Sequence, residues 1–449
     1  AQKGCFGKIT NSIFVSMNLS HKYWTGSLLL LLVCVTAIKA QRVPDQIYMS
    51  NIKTPVLFQQ NDQFSIPIIR LQSSDALELH FDDLSGVPKN YFYSFQLCNA
   101  DWTPAMLNPF DYISGFPQNR ISMYRVSSVA LTRYVHYQVL LPEKNAVPTK
   151  SGNYILKVFL DNDTSKLAFT KRFYVLDEKV TLGAGITQPY GSDIMRTHQK
   201  IQVNVGTKDL NILSPGQQTK LLILQNNKYT GAGFITQPTF IRGKNFEYST
   251  EDAHQVFEAG KEYRWVDIRS FRFESDRVVR TDKSTTPLTI VVKPDFTRND
   301  QRNIFYMDAN GWSTTASTEL INPWWQGDYA NVNFTYVPPG LKPLFNKDLY
   351  MVGALTGNMI GDTAKMEFDP SVGAYTRTLL LKQGFYNYTY LTKDKGAPLS
   401  TSSFALTDGN FWETENDYTI FYYYRSLGGR HDELIGFAKV NSRNQLGTR

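Results

Sequence analysis

The sequence offers almost no cysteine and no run of basic residues. Three cysteines occur in 449 residues, and Cys5 and Cys34 both precede residue 41. Cys98 is then left alone, so no internal disulfide is available and the core must come from chain length. The histidines beyond residue 40 are His80, His136, His198, His254 and His431, and none is paired at the spacing of a metal site. A GxSxG elbow, a P-loop and a dinucleotide fingerprint are all missing, which removes the commonest hydrolase, nucleotide and redox signatures. No Lys/Arg cluster interleaved with aromatics is present, so no nucleic-acid partner is expected. Beyond residue 40 no apolar run is long enough to cross a bilayer, and long helical periodicities are scarce.

The one sustained apolar run lies near the start. From Met17, "MNLSHKYWTGSLLLLLVCVTAIKAQ" has a basic residue (Lys22), an apolar stretch from Leu28 to Val35, and a small residue, Ala40. That is the layout of a secretory signal peptide, with cleavage expected after Ala40. The sixteen residues before Met17 read as lying upstream of the start. Residues 1–40 carry four lysines and no acid, so their removal lowers the formal charge from +7 to +3 and leaves 409 residues. That length suffices for about three domains.

What the sequence has in abundance is tyrosine and phenylalanine on short alternating runs between Gly, Pro, Asn and Asp clusters, the pattern of half-buried strands. In "SGNYILKVFLDNDTSKLAFTKRFYVL" (Ser151 to Leu176), Tyr154, Leu156, Val158 and Leu160 share a strand face, "DNDTS" turns the chain, and Phe169, Arg172 and Tyr174 lie on the return. "YVHYQVLLP" reads as a further strand stopped by Pro142. The expected fold is all-β: three consecutive β-sandwiches after the leader, immunoglobulin-like or early-set-like. The expected bounds are 44–178, 179–295 and 296–440. "KIQVNV", "KLLILQNN", "EYRWVDIRSFRFES" and "LTIVVKPD" are assigned to the second. "DLYMVGALTGNMIGDTAKMEFDPSVGAYTRTLLLKQGFYNYTYL" is assigned to the third and resembles the early-set sandwich of glycogen-binding modules. The loop "ALTGNMIGD" lacks the tryptophan that stacks on sugar in those modules.

Candidate chemistry is sparse. "FQLCNADWTPAMLNPFDYISGF", residues 95–116, places Cys98 beside Asn99 and Asp101, with His136 downstream as a possible base. A catalytic thiol needs a depressed pKa from a helix N-terminus or an adjacent histidine. Cys98 sits at the end of a strand with no helix following, so a buried, inert cysteine is the expectation, with "NADWTP" as a turn that seats Trp102 over the sandwich edge. Asp82 and Asp83 are adjacent on a strand and point to opposite faces, a poor glycosidase pair. "DANGW" (Asp308 to Trp312) copies part of a calcium loop without the downstream glutamate and reads as a turn. Arg264, Arg269 and Arg272 form an imperfect basic stripe, read as a solvated face before an acidic-partner site. No catalytic, cofactor or metal residues are assigned. Trp324 and Trp325 in "NPWWQGDY" are the candidate partner-binding pair, as a sticky edge or as one core and one rim residue.

Taken in order, these motifs resemble the plug proteins of the type IX secretion system of Bacteroidetes. The resemblance rests on "YFYSFQLCNADWTP", "NPFDYISGF", "VHYQVLLP", "SGNYILKVFLDND", "EYRWVDIRSFRF", "DANGW", "YMVGALTG", "KMEFDPSVGAYTRTLLLKQGFYNYTYL" and "YYRSLGGRHDELIGF", spread from about Val43 to Asn441. It implies a non-enzymatic periplasmic protein at the inner face of the outer membrane. Such a protein needs no cofactor, small-molecule substrate or transmembrane segment, and its partner is the translocon barrel whose periplasmic mouth it occludes. The alternative is an exported carbohydrate-binding β-sandwich protein, carried by the early-set resemblance and by Trp312, Trp324 and Trp325.

Overall fold

The structure, a computed structural model, describes residues 45–446; the leader expected over residues 1–40 lies outside them. Strands dominate, and they form the expected two-layer sandwiches. In the strand Tyr91–Cys98, Tyr91, Tyr93, Phe95 and Leu97 are buried while Phe92, Ser94 and Gln96 between them are half-buried, the period-2 signature of a sheet with one face on the core. Its sheet runs Gln46–Ile47, Leu167–Leu176, Gly152–Leu160, Tyr91–Cys98, Asn119–Arg120, with Ile68–Arg70 parallel to Leu167–Leu176. The facing sheet runs Ile52–Gln59, Leu77–Asp83, Val135–Leu141, Met123–Val126. Leu77, Leu79 and Phe81 from the second sheet meet Tyr154, Leu156, Val158 and Phe169 from the first in one apolar core.

The second and third sandwiches are not consecutive, which corrects the bounds 179–295 and 296–440. One sheet of the middle sandwich runs Phe234–Ile235, Thr219–Gln225, Asp417–Tyr424, Glu433–Asn441. Its last two strands come from the C-terminal end of the chain, with Thr219 opposite Tyr424 and Gln225 opposite Tyr418. The facing sheet is Thr181–Thr187, His198–Gly206, Asn245–Tyr248, Phe240–Arg242, with Val256–Glu258 on His198–Gly206. Everything from Arg264 to Asp394 builds the third sandwich, including Arg264–Asp267 and Leu288–Val292, which the sequence had placed in the second. The third is thus an insertion in the second. Where the chain departs and returns, the Phe411 N–H donates to the Gly260 carbonyl at 3.0 Å and the Thr414 hydroxyl to the same carbonyl at 2.8 Å. Adjacent strands usually come from adjacent sequence, and no composition change marks either crossing.

Burial on both faces explains two unusually apolar strands. In Thr219–Gln225, Leu221 and Ile223 face the middle core, while Leu222 and Leu224 face the first sandwich. In Asp417–Tyr424, Tyr418, Ile420 and Tyr422 face the middle core, and Phe421 and Tyr423 join Ile66, Ile68, Tyr174 and Leu176 of the first sandwich. A strand with both faces covered loses its alternation, and each fully buried side chain of this kind stabilises by about 1.5–3 kcal/mol.

Candidate functional site

The Cys98 stretch is a joint between the first and middle sandwiches. Cys98 is fully buried, its thiol meets only the Gln96 carbonyl at 3.6 Å, and burial pushes it up to about 12. His136 lies on the other sheet and bonds to Asp82 and His80, so the nucleophile–base pairing is not formed. The turn after Cys98 places Trp102 at φ +67°, with its ring edge-on to Tyr174 and Tyr229. The Ala100 N–H donates to Asp432 at 3.0 Å, and Arg425 donates to both Asn99 and Asp432 at 2.8 Å. Tyr423 donates its hydroxyl to Asn153 at 2.9 Å. Asn99, Ala100 and Trp102 thus connect to the two C-terminal strands and the elements around them.

Trp324 and Trp325 lie on a short helix, Pro323–Gln326, capped by the Asn322 side chain. Both are half-buried and engaged inside the molecule, against the first sandwich. Trp324 stacks on His80 and Phe58; the Arg125 guanidinium lies 4.5 Å from the Trp325 ring centre. Backbone bonds continue the seam: the Tyr134 hydroxyl donates to the Gly327 carbonyl at 2.6 Å, and the Leu131 and Thr132 amides donate to Asp328.

Beneath Trp324 runs a buried polar chain that crosses from the first sandwich to the third. Asp82 accepts from His136 Nδ1 at 2.7 Å, from the Tyr329 hydroxyl at 2.6 Å, and from the Lys382 ammonium. Burial alone would raise the Asp82 carboxyl, but Lys382 and His136 outweigh it and hold it below the usual carboxylate range. At Lys382 burial prevails and lowers the amine despite Asp82. Burial also lowers His136, and it brings His80, beside His136, down to about 3. Both rings are therefore neutral at pH 7. Since ionised Asp82 fixes the His136 proton on Nδ1, His136 Nε2 must accept, and His80 Nδ1 donates to it at 3.1 Å. The lone pair of His80 Nε2 then faces Glu78 at 3.3 Å. The sequence signal for this chain was Glu78, His80 and Asp82 at alternate positions of one strand; their partners Tyr329 and Lys382, about 250 and 300 residues on, had none. Asp83 points the other way, to Asn51, Lys89 and Tyr91.

The basic stripe is not one surface, since Arg272 is exposed and Arg269 half-buried while Arg264 turns inward. Arg264 is buried and paired with Asp295 at 2.8 Å and Asp408 at 2.6 Å; Arg269 closes on Asp267. Asp308 of "DANGW" accepts from the amides of Asn310 and Tyr263 in a turn, with Asn310 and Gly311 at positive φ. Trp312 packs against the layer between the first and middle sandwiches. The three tryptophans therefore do not lie together on an open sheet face. Among the described residues no group of His, Cys, Asp and Glu is arranged to hold a metal, and no helix is long and apolar enough to cross a membrane.

Several segments also expose apolar side chains, among them Phe240 with Ile241 and Ile304 with Phe305 and Met307. The loop beyond the Cys98 turn exposes Met106 (84%), Phe110 (72%) and Phe116 (66%). It is a held loop: Asn108 and Asp111 cap a single helical turn reciprocally, residues Ile113–Gly115 pair with Ala146–Pro148, and Arg430 donates to the Met106 carbonyl. Exposed hydrophobics held on a fixed loop are available to a partner.

The architecture defines an all-β protein of linked sandwiches with polar joints buried between them. Residues 52–177, spanning the strands of the first sandwich, match the family described as type 9 secretion system plug protein, first domain. By that match the segment is a first domain of the type 9 secretion system plug family, in line with the motifs it carries. The match points to a structural, non-catalytic component associated with a secretion system. A crystal structure of a hypothetical protein from Parabacteroides merdae is similar, with a TM-score of 0.84 and 28% identity over 88% of this chain and 98% of that one. No curated protein matches.

Proposed function

We propose that the protein is a non-enzymatic periplasmic plug, seated at the inner face of the outer membrane, that occludes the periplasmic mouth of the type IX translocon barrel and limits leakage through it. One observation carries the mechanism: both joints of the first sandwich are buried and bonded, through Asp82, Lys382 and Trp324 on one side and Asp432, Tyr423 and Phe421 on the other. A stopper for a wide lumen needs bulk that does not fold away under load, and three sandwiches locked to each other supply it. In this reading Trp324 and Trp325 act from within, by fixing the third sandwich to the first. The surface toward the barrel is the loop of Met106, Phe110 and Phe116, which lies inside the segment that matches the plug family. Interfaces of this kind rest on a few apolar anchors more than on net charge.

The test is sensitivity to a large hydrophilic antibiotic in four strains: wild type, plug deleted, barrel deleted, and both deleted. The plug deletion should be sensitive and the double deletion resistant. Equal sensitivity of those two strains means that the leak bypasses the barrel, and the reading fails.

A further inference from the structure

A cavity of about 330 Å³ opens between the middle and third sandwiches, away from the polar joints of the first. Its floor is apolar: Ile223 of the middle sandwich and Val352, Ile360, Leu391 and Phe404 of the insertion are all buried. Four of these belong to a small apolar cluster separate from the three main cores. That volume is roughly twice the ~150 Å³ cavity that accepts a benzene ring, so an alkyl body of about eight carbons has room.

One charge in the wall lacks a counter-ion contact. The Lys228 ammonium lies 4.5 Å from the Phe404 ring centre, and among the described residues no carboxylate lies within ion-pair distance of it. The carboxylate nearest in effect, Glu258, is committed elsewhere: one oxygen accepts from the Ser403 hydroxyl at 2.7 Å, the other from the Phe404 amide at 3.0 Å. Burial draws the amine down to about 8, with Glu258 opposing. The other titratable group in the wall is His198, whose Nδ1 is engaged by the Thr197 hydroxyl at 2.9 Å. Thr230 and Ser402 stand at the rim. The wall therefore presents a single ammonium above an apolar floor. A second cation for a dianion is missing from the lining, and no uncommitted carboxylate is there to receive a ligand ammonium.

We propose that this cavity is a binding site for a monoanionic amphiphile, a carboxylate on Lys228 with an unbranched or lightly branched alkyl body laid on Val352, Ile360 and Leu391. The site pairs a charge-assisted hydrogen bond with apolar burial, the usual composition of a small-molecule pocket. Because its walls come from both the middle sandwich and the insertion, a bound molecule bridges the two.

The probes are sodium octanoate and 1-octanol, which share a body and differ in the head. Binding to the mature protein is followed by titration calorimetry at pH 7 and pH 9.5. Octanoate should bind saturably at pH 7. It should weaken about tenfold or more in Lys228→Met and also at pH 9.5, where the amine is discharged. Octanol affinity should change less than about twofold in either case. Ile360→Trp, which fills the floor and keeps the amine, should abolish both and guards against a misfolded Lys228→Met. No saturable octanoate binding, or equal octanoate affinity in wild type and Lys228→Met, overturns the site.

Discussion

Trp324 of the third sandwich lies flat on His80 of the first, ring centres 3.9 Å apart and planes 5° from parallel. The contact seals the Asp82–Lys382 pair from water. Trp324→Ala is expected to lower the unfolding free energy by about 2–4 kcal/mol, somewhat under the range for a fully buried tryptophan because the ring is half-buried. Asp82→Asn leaves the Lys382 ammonium buried and unpaired and should cost about 3–5 kcal/mol. Urea unfolding of the two variants measures both. A loss below about 1 kcal/mol in each would mean that the seam does not couple the sandwiches.

The same chain sets a pH dependence. The folded-state value of His80, about 3, lies below that of an unfolded histidine, near 6.5. Between those values the unfolded chain binds the extra proton, so the His80 contribution is complete above about pH 6.5 and is lost as pH falls below it. By pH 4.5 the loss should be about 3 kcal/mol. Asp308 works in the opposite sense: burial raises its carboxyl to about 7, so its contribution is lost as pH rises through that value. The His80 effect is therefore read as the difference between stability profiles of wild type and His80→Gln from pH 7.5 to 4.5. Parallel profiles would contradict it.

Cys98 should be silent in the native protein. Its burial and its thiol near 12 predict labelling by a disulfide reagent at pH 7.5 only after denaturation. Cys98→Ala should retain function with a stability loss of about 1–2 kcal/mol. Labelling within seconds under native conditions would show that the strand end opens.

The insertion predicts an asymmetry between two deletions. Excising Glu262–Asn410 and joining Lys261 to Phe411 through about two residues should leave a soluble, cooperatively folded remainder, because Gly260 and Phe411 already touch. Ending the chain at Asn416 removes far fewer residues yet strips two strands from the middle sheet. That shorter deletion should be the damaging one, with loss of solubility or rapid proteolysis. The reverse order of damage would refute the topology.

Phe110→Asp with Phe116→Asp alters only exposed positions, so stability should move by less than about 0.5 kcal/mol. Antibiotic exclusion should nevertheless fail. A doubly charged loop that still excludes the drug would remove it from the barrel interface.

The strands themselves were legible because alternation records burial on one face, as in Tyr91–Cys98 and the hairpin from Ser151 to Leu176. The parentage of strands was not. "YTIFYYY" and "TKLLILQ" pair across some two hundred residues, and nothing in either names the other. Trp324 and Trp325 were visible as unusual, and their inward role was hidden because the ring that receives Trp324 belongs to His80. Lys228 gave no signal at all, since a single lysine acquires meaning only from the floor that the insertion builds beneath it.

The C-terminal closure of the middle sheet carries a temporal consequence. A chain that emerges N-terminus first can complete its first sandwich early, but the strand Thr219–Gln225 keeps one edge open until residues 417–441 arrive. During that interval an apolar edge awaits its own partner while the whole insertion is being delivered, and unpaired edges of this kind invite aggregation. Assembly is thus ordered like a clasp fastened last, and a holding chaperone would be needed for the nascent chain more than for the finished molecule.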